Sequence, residues 1–251
     1  MADNVYIKRL NVIDSTNRYT RDEAQTLWNE AGECKIIAIT ARHQTAGRGQ
    51  RGNIWTSAAG ENLLLSILVR PGESLKVTEQ FLLSQAVALA LHDTMKEYGI
   101  CTQLKWPNDI YAENKKLAGI LVELYYSGTF IEQAIIGIGV NVNQCKFPAM
   151  DRIPVSMRLL KEEEYAIDTI LCDLLNKFNN RYTQLCDNIG EAIACEYNSL
   201  LLGIGKEHQF IDSSGEFTAV IEGAEPCGRL ILRTKDGGTR TYAFKEVEMV
   251  L

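Results

Sequence analysis

Residues 47–52 read Gly-Arg-Gly-Gln-Arg-Gly, and Trp55 follows close behind. Three glycines leave backbone N–H groups accessible and permit close approach of another group. Two arginines add fixed positive charge to the same short loop. Such a loop suits an anion, a phosphate above all. The literal pattern also fits Gly-x-Gly-x-x-Gly, but a dinucleotide site needs a strand directly before it and a helix opening from it. Here the nearest earlier strand candidate, Cys34–Thr40, is separated from Gly47 by Ala41 to Ala46, and Asn53 to Gly60 shows no helical period. No Gly-Lys-Ser/Thr follows, and no His-Arg-Asp or Asp-Phe-Gly, so Walker and kinase readings fail as well. A solvated glycine-rich surface loop is the plain alternative.

Three further stretches carry chemistry-bearing side chains. Residues 135–143 read Ile-Ile-Gly-Ile-Gly-Val-Asn-Val-Asn. Strand parity puts Ile136, Ile138, Val140 and Val142 on one face and Gly137, Gly139, Asn141 and Asn143 on the other. Two glycines then two asparagines make either a strand end with a bulge or a floor that admits a ligand and bonds it through amides. In Lys116-Leu-Ala-Gly-Ile-Leu-Val-Glu123, Gly119 interrupts a strand, which often marks close approach of a ligand or another backbone. Lys115 and Lys116 at its start are either a solvated turn pair or part of a cationic site. In Lys105-Trp-Pro-Asn-Asp109, Pro107 pushes Trp106 toward extended backbone and Asn108-Asp109 favours a turn, which sets Lys105 and Asn108 at the two ends of a stiff corner.

The elements that must position these groups follow from pattern. Asp14-Ser15-Thr16-Asn17 offers N-caps for a helix running to about Ala31, stopped by Gly32. Cys34–Thr40 and Leu63–Arg70 read as strands, and Thr78–Tyr98 as a strongly periodic helix ending at Gly99. Strands are expected over Thr102–Trp106, Ile110–Ala112, Lys116–Tyr126 and Thr129–Asn143, with Ser127-Gly128 turning the last pair, and 153–201 is helical in pattern. From about Leu202 five short strand candidates alternate with glycine-rich turns. The fold expected is therefore α+β: a mixed, largely antiparallel sheet flanked by helices over 1–201, plus a small C-terminal β-barrel over 202–251.

Composition removes other classes. The chain has 251 residues, 46% of them hydrophobic, enough for a packed core. A net charge of −6 implies no general nucleic-acid affinity. The first residues lack a long apolar stretch, and no run approaches the ~20 apolar residues that span a bilayer. Seven cysteines without Cys-x-x-Cys suggest neither disulfides nor zinc, and His43, His92 and His208 stand far apart, so no metal site is expected. Reduced thiols fit a cytoplasmic protein.

Taken together, Ser15-Thr16-Asn17, Gln44 with Gly47-Arg48-Gly49-Gln50-Arg51-Gly52 and Trp55, Lys105-Trp106-Pro107-Asn108-Asp109, Lys116 to Glu123, and Gly137-x-Gly139-x-Asn141 resemble the biotin–protein ligases in order and spacing. The resemblance covers roughly residues 5–200, and the β-rich tail is similar to that family's small C-terminal barrel. It implies that biotin and ATP, with Mg²⁺ on the nucleotide, give biotinyl-5′-adenylate and pyrophosphate. A lysine of a biotin carboxyl carrier domain, such as that of acetyl-CoA carboxylase, then attacks the acyl carbon. Two anions meet in the first step, so positive charge is required. Lys116 takes the central electrostatic role beside Arg48. Ser15, Thr16, Asn17 and Gln44 would bond the ureido ring, and Gly119, Leu121, Gly137 and Gly139 would wall the tail. The loop residues Gly47, Arg48, Gly49 and Gln50 would complete the biotin site and order over the ligand. Arg48, Arg51, Trp55, Lys105, Asn108, Lys116 and Asn141 would hold the nucleotide, Trp55 by stacking on adenine. Many members carry Arg where this chain has Gln50, so its loop holds one positive charge fewer. Some members carry an N-terminal helix-turn-helix domain. With Ser15 already in the first motif there is no room for one, and a short ligase that does not bind DNA is expected. A homodimer stays open. A lipoate or octanoate ligase or transferase of the same fold and a non-catalytic biotin sensor are the alternatives. The ureido-suited set argues against the former and the cationic cluster against the latter.

Overall fold

The computed structural model describes residues 4–148 and 153–250, with the side chain of Arg51 also left undescribed. In chain order the elements are β1 (Val5–Ile13), α1 (Thr16–Asp22), α2 (Ala24–Ala31), β2 (Ile36–Gln44), β3 (Leu63–Val69), β4 (Gly72–Lys76), α3 (Phe81–Glu97), β5 (Gln103–Lys105), β6 (Asp109–Ala112), β7 (Lys115–Ser127) and β8 (Phe130–Val140). There follow α4 (Met157–Lys161), α5 (Ile167–Cys186), α6 (Gly190–Ser199), β9 (Glu207–Asp212), β10 (Gly215–Ala224), β11 (Leu230–Thr234), β12 (Thr239–Tyr242) and β13 (Val247–Met249).

The larger sheet has eight strands in the order β1-β2-β3-β8-β7-β6-β5, with β4 pairing β8 off that path. Only β1 and β2 run parallel; every other neighbouring pair is antiparallel. β3 is apolar at six of its seven positions and buried at all of them, as a central strand covered on both faces must be. Ile136, Ile138 and Val140 of β8 join α3 and α5 in the main core, which also takes in Val142 beyond the strand end. The opposite face carries a smaller cluster of Leu27, Ile37, Ile39, Leu68 and Ile135 beneath α1 and α2. The predicted parity of 135–143 therefore holds as to which residues are buried on the helical side.

Local differences have local causes. The helix expected to run to about Ala31 breaks at Glu23, which ends α1 and begins α2. β1 escapes the sequence reading because Lys8, Arg9 and Asn11 interrupt its apolar pattern and no residue in it is fully buried. Residues 153–155 are not helical: Lys116 N donates to Ile153 O and Val155 N to Lys116 O, which ties this segment to β7.

The C-terminal β-barrel is not formed. β9 to β13 make an open five-stranded sheet, order β12-β11-β10-β9-β13, whose outer strands do not pair. Those strands are four and three residues long, too short to wrap round and close the sheet. The turn between them instead carries Phe244 against Trp106, with ring centroids 6.1 Å apart.

All seven cysteines are free. Among the described residues no helix is long and apolar enough to cross a membrane.

Candidate active site

The floor of the site is a patch of sheet without side chains. In the β7–β8 register Gly119 faces Gly139 and Leu121 faces Gly137, and β3 brings Ser66 beside Gly137. A β-carbon on Gly137 would overlap the side chain of Asn17, and one on Gly139 would overlap the Trp55 indole. One on Gly119 would come within 3.1 Å of the same indole. The glycines are there because Asn17 from α1 and Trp55 from the loop lie directly on the strands.

At one end of this floor the polar groups are neutral. Gln44 Oε1 accepts from Thr16 N at 2.7 Å and from Thr16 Oγ1 at 3.0 Å. The Ser66 hydroxyl stands 2.8 Å from Thr16 Oγ1 and 2.5 Å from Asn17 Oδ1. Ser15, Thr16, Asn17 and Ser66 are all buried, yet Asn17 Nδ2 has no partner among the described residues. A buried amide donor left unsatisfied costs about 1–3 kcal/mol, which an acceptor on a ligand would recover.

At the other end the groups are charged. Lys116 Nζ is 2.7 Å from Asp109 Oδ1 and 5.6 Å from the Trp55 ring centroid. Lys105, in register with Asp109 on the neighbouring strand, places Nζ 5.7 Å from the Tyr111 ring. Tyr197 is wholly buried nearby; burial first, and then the Asp109 charge, push its phenol above the ordinary range. Arg48 reaches from the loop to Glu123 at 3.4 Å.

The loop itself is a folded hairpin. Gly49 N donates to Asn53 O at 2.7 Å and Trp55 N to Gly47 O at 3.0 Å. Gly47 has no room for a side chain against the Trp55 carbonyl, so it serves the loop and does not line the site. Gln50, in a short 3₁₀ turn over 50–52, keeps a buried Oε1 without a partner among the described residues. Arg51 shares that turn, but the expectation for its side chain lies outside the described residues.

A cavity of about 810 Å³ joins the two ends. Apart from Gly47 and Arg51, every residue expected at the site lines it: the neutral set, the glycine floor, Leu121, Arg48, Gly49, Gln50, Trp55, Lys105, Asn108, Lys116 and Asn141. Both asparagines give their amide nitrogens to backbone. Asn108 Nδ2 donates to Ile120 O at 2.8 Å, and Asn141 Nδ2 to Val155 O at 3.0 Å and Lys116 O at 3.3 Å. Asn143, expected on the glycine face, is bonded both ways to the Tyr165 backbone. Ser66, Asp109 and Glu123, to which no expectation gave a role, bond the expected residues directly. The first had a readable signal, a single hydroxyl within the apolar run Leu63–Val69.

The match to known proteins bears on this geometry. Residues 10–141, more than half the chain, match the model of the Biotin/lipoate A/B protein ligase family. The chain belongs to the biotin/lipoate ligase family. It is 32% identical over 235 residues to the Bifunctional ligase/repressor BirA of Bacillus spizizenii, covering 92% of this chain and 70% of that one. It is also 32% identical to the Biotin–[acetyl-CoA-carboxylase] ligase of Paracoccus denitrificans, covering 89% and 92%. The biotin protein ligase from Aquifex aeolicus, solved in complex with biotin and ATP, superposes with a TM-score of 0.78 over 98% of each chain at 25% identity. The matched span takes in the whole glycine floor, the loop and Lys116. In this ligase-family chain the second sheet also reaches the cavity, through Phe244, Lys245 and Glu248.

Proposed function

We propose that this chain is a biotin–protein ligase, forming biotinyl-5′-adenylate from biotin and ATP and passing the biotinyl group to a lysine of a carrier domain such as that of acetyl-CoA carboxylase. The observation that carries this is the polarity of the cavity. A neutral network with an unpartnered amide donor stands at one end, a side-chain-free floor in the middle, and Lys116 and Arg48 at the other. Biotin has the same order of parts: a neutral ureido ring, an apolar tail and a carboxylate. The names of the relatives support the same reading, as does the Aquifex aeolicus structure with biotin and ATP.

In this reading Asn17 Nδ2 and the Ser66–Thr16–Gln44 chain bond the ureido group, and the tail lies along Gly137, Gly139 and Gly119. The carboxylate then comes to Lys116. A carboxylate oxygen attacks the α-phosphorus, the bond from that phosphorus to the β-bridging oxygen breaks, and pyrophosphate leaves. Lys116 and Arg48 neutralise the charge gathering on the carboxylate and α-phosphate oxygens. Arg48 must exchange Glu123 for the substrate, and Trp55 must move off Gly139 to admit the tail, after which its indole is free to stack on adenine. Mg²⁺ would arrive with the nucleotide, bound through phosphate oxygens and water. No cluster of three or more His, Cys, Asp or Glu able to hold a metal occurs among the described residues. The division into a catalytic unit, 1–201, and a smaller unit, 202–251, belongs to this proposal.

A lipoate or octanoate ligase would leave the neutral end of the cavity with nothing to bond, and a biotin sensor would have no use for Lys116 and Arg48. The test is transfer: incubate the chain with biotin, Mg-ATP and a biotin carboxyl carrier domain, and follow the carrier's mass. A gain of one biotinyl group at one lysine is expected. A carrier that remains unmodified while the chain binds biotin would refute the ligase reading.

A further inference from the structure

We propose that Lys245, on the C-terminal sheet, contacts the pyrophosphate portion of ATP and stabilises it as the leaving group. The proposal rests on the ligase reading above and adds to it a residue from outside the matched span.

Three observations meet at this side chain. First, the cavity does not end at the larger sheet. Its far wall is built by the second one, and most residues that wall contributes are apolar, among them Phe210, Ile221, Leu230 and Phe244. Lys245 is the cation of that wall, and Glu248 stands with it. Second, Lys245 is exposed and forms no ion pair among the described residues, whereas Lys116 is held by Asp109 and Arg48 by Glu123. Third, its backbone is left-handed, with φ +72°. Among the described residues, the other non-glycine positions with positive φ are Glu113 and Asn114 in a hairpin turn and Glu162 and Asn188 just after helix ends. Glycine would take this conformation without steric cost.

The turn is also fixed relative to the catalytic corner. Glu246 N donates to Ala243 O at 3.1 Å, and Glu246 Oε2 accepts from Ala243 N at 2.6 Å. The next ring, Phe244, packs edge-on against Trp106, whose Nε1 donates to Gly228 O at 3.1 Å. Trp106 lies between Lys105 and Asn108, so the turn that carries Lys245 is anchored to the segment that lines the nucleotide end.

The chemistry of adenylation gives this cation its task. When the bond from the α-phosphorus to the bridging oxygen breaks, the electron pair and an added negative charge go to pyrophosphate. Lys116 and Arg48 sit over the floor, where the carboxylate and α-phosphate meet. A solvent-side ammonium on the opposite wall suits the group that must depart.

The test is ATP–pyrophosphate exchange with biotin on the intact chain and on Lys245→Met, Lys245→Gly and Lys245→Arg. Glycine adopts this backbone without strain, and an unchanged melting temperature in each variant separates a local defect from misfolding. The KM values for pyrophosphate and ATP should rise about tenfold in the Met and Gly variants, the loss of one charge-assisted hydrogen bond, and return close to normal in the Arg variant. The biotin KM and transfer from preformed biotinyl-adenylate to a carrier should not move. Unchanged pyrophosphate and ATP KM values would overturn the assignment, as would a defect confined to carrier transfer. Absence of exchange in the unaltered chain would overturn the ligase reading itself, an outcome distinct from normal exchange that is indifferent to Lys245.

Discussion

Lys116 Nζ and Asp109 Oδ1 stand 2.7 Å apart across neighbouring strands of the larger sheet. Asp109 is 4% exposed and Lys116 25%, so the carboxylate is fixed while the ammonium faces the cavity. The pair holds the cation beside the glycine floor before any substrate arrives. Lys116→Ala should lower biotin-dependent ATP–pyrophosphate exchange by about 10²–10³-fold, the usual range for removing a group that stabilises transition-state charge. Unchanged exchange would remove Lys116 from that role.

Asn17 governs the other end. Its Oδ1 meets Ser66, and its Nδ2 is the buried donor without a partner. Asn17→Ala should weaken biotin binding by about 10–100-fold in calorimetry, one strong polar contact, with the ATP KM little changed. Biotin affinity equal to the parent's would place the ureido group elsewhere.

One arginine ties the three long helices of the helical layer together. Arg181 on α5 bonds Asp93 of α3 at 2.9 Å and both oxygens of Glu196 on α6, at 2.6 and 2.7 Å. Arg181→Met should destabilise the chain by about 1–2 kcal/mol, a figure that already allows for the exposure of Glu196. Chemical denaturation measures this. The biotin KM should hold, because these helices pack on the sheet face away from Asn17.

His92 supplies a pH dependence. Burial holds its imidazole below the ordinary histidine value, with Asp93 opposing, and Nδ1 lies 2.8 Å from Thr102 Oγ1. The folded chain therefore binds this proton less readily than the unfolded chain. The contribution is fully present above the unfolded value of about 6.5 and is lost as pH falls toward the folded value. Unfolding followed from about pH 8 down to about pH 5 should show stability declining below the unfolded value, and the decline should be shallower in His92→Gln. Identical profiles would assign the slope to other groups.

Much of this architecture was legible because strand parity is strict. Alternation in 135–143 separated the isoleucines that pack on α3 and α5 from the glycines under Asn17 and Trp55. Arg48, Lys105 and Lys116 were readable as cations, but Asp109 and Glu123 were not readable as their neighbours, since register across strands is a tertiary property. Asn108 and Asn141 illustrate a further limit. Both line the cavity as expected, yet their amide nitrogens stitch β7 and the 153–155 segment in place, which side-chain type alone does not reveal. The barrel failed for a related reason: five strand candidates and their turns do not say whether the first and last will pair. Here β12 and β13 are too short to close the sheet.

The most direct test is ATP–pyrophosphate exchange with Mg²⁺ by the unaltered chain, comparing biotin, lipoate and octanoate as the acid. Exchange with biotin alone is expected. Exchange driven by lipoate or octanoate, or none with any acid despite measurable biotin binding, would contradict the biotin-ligase reading.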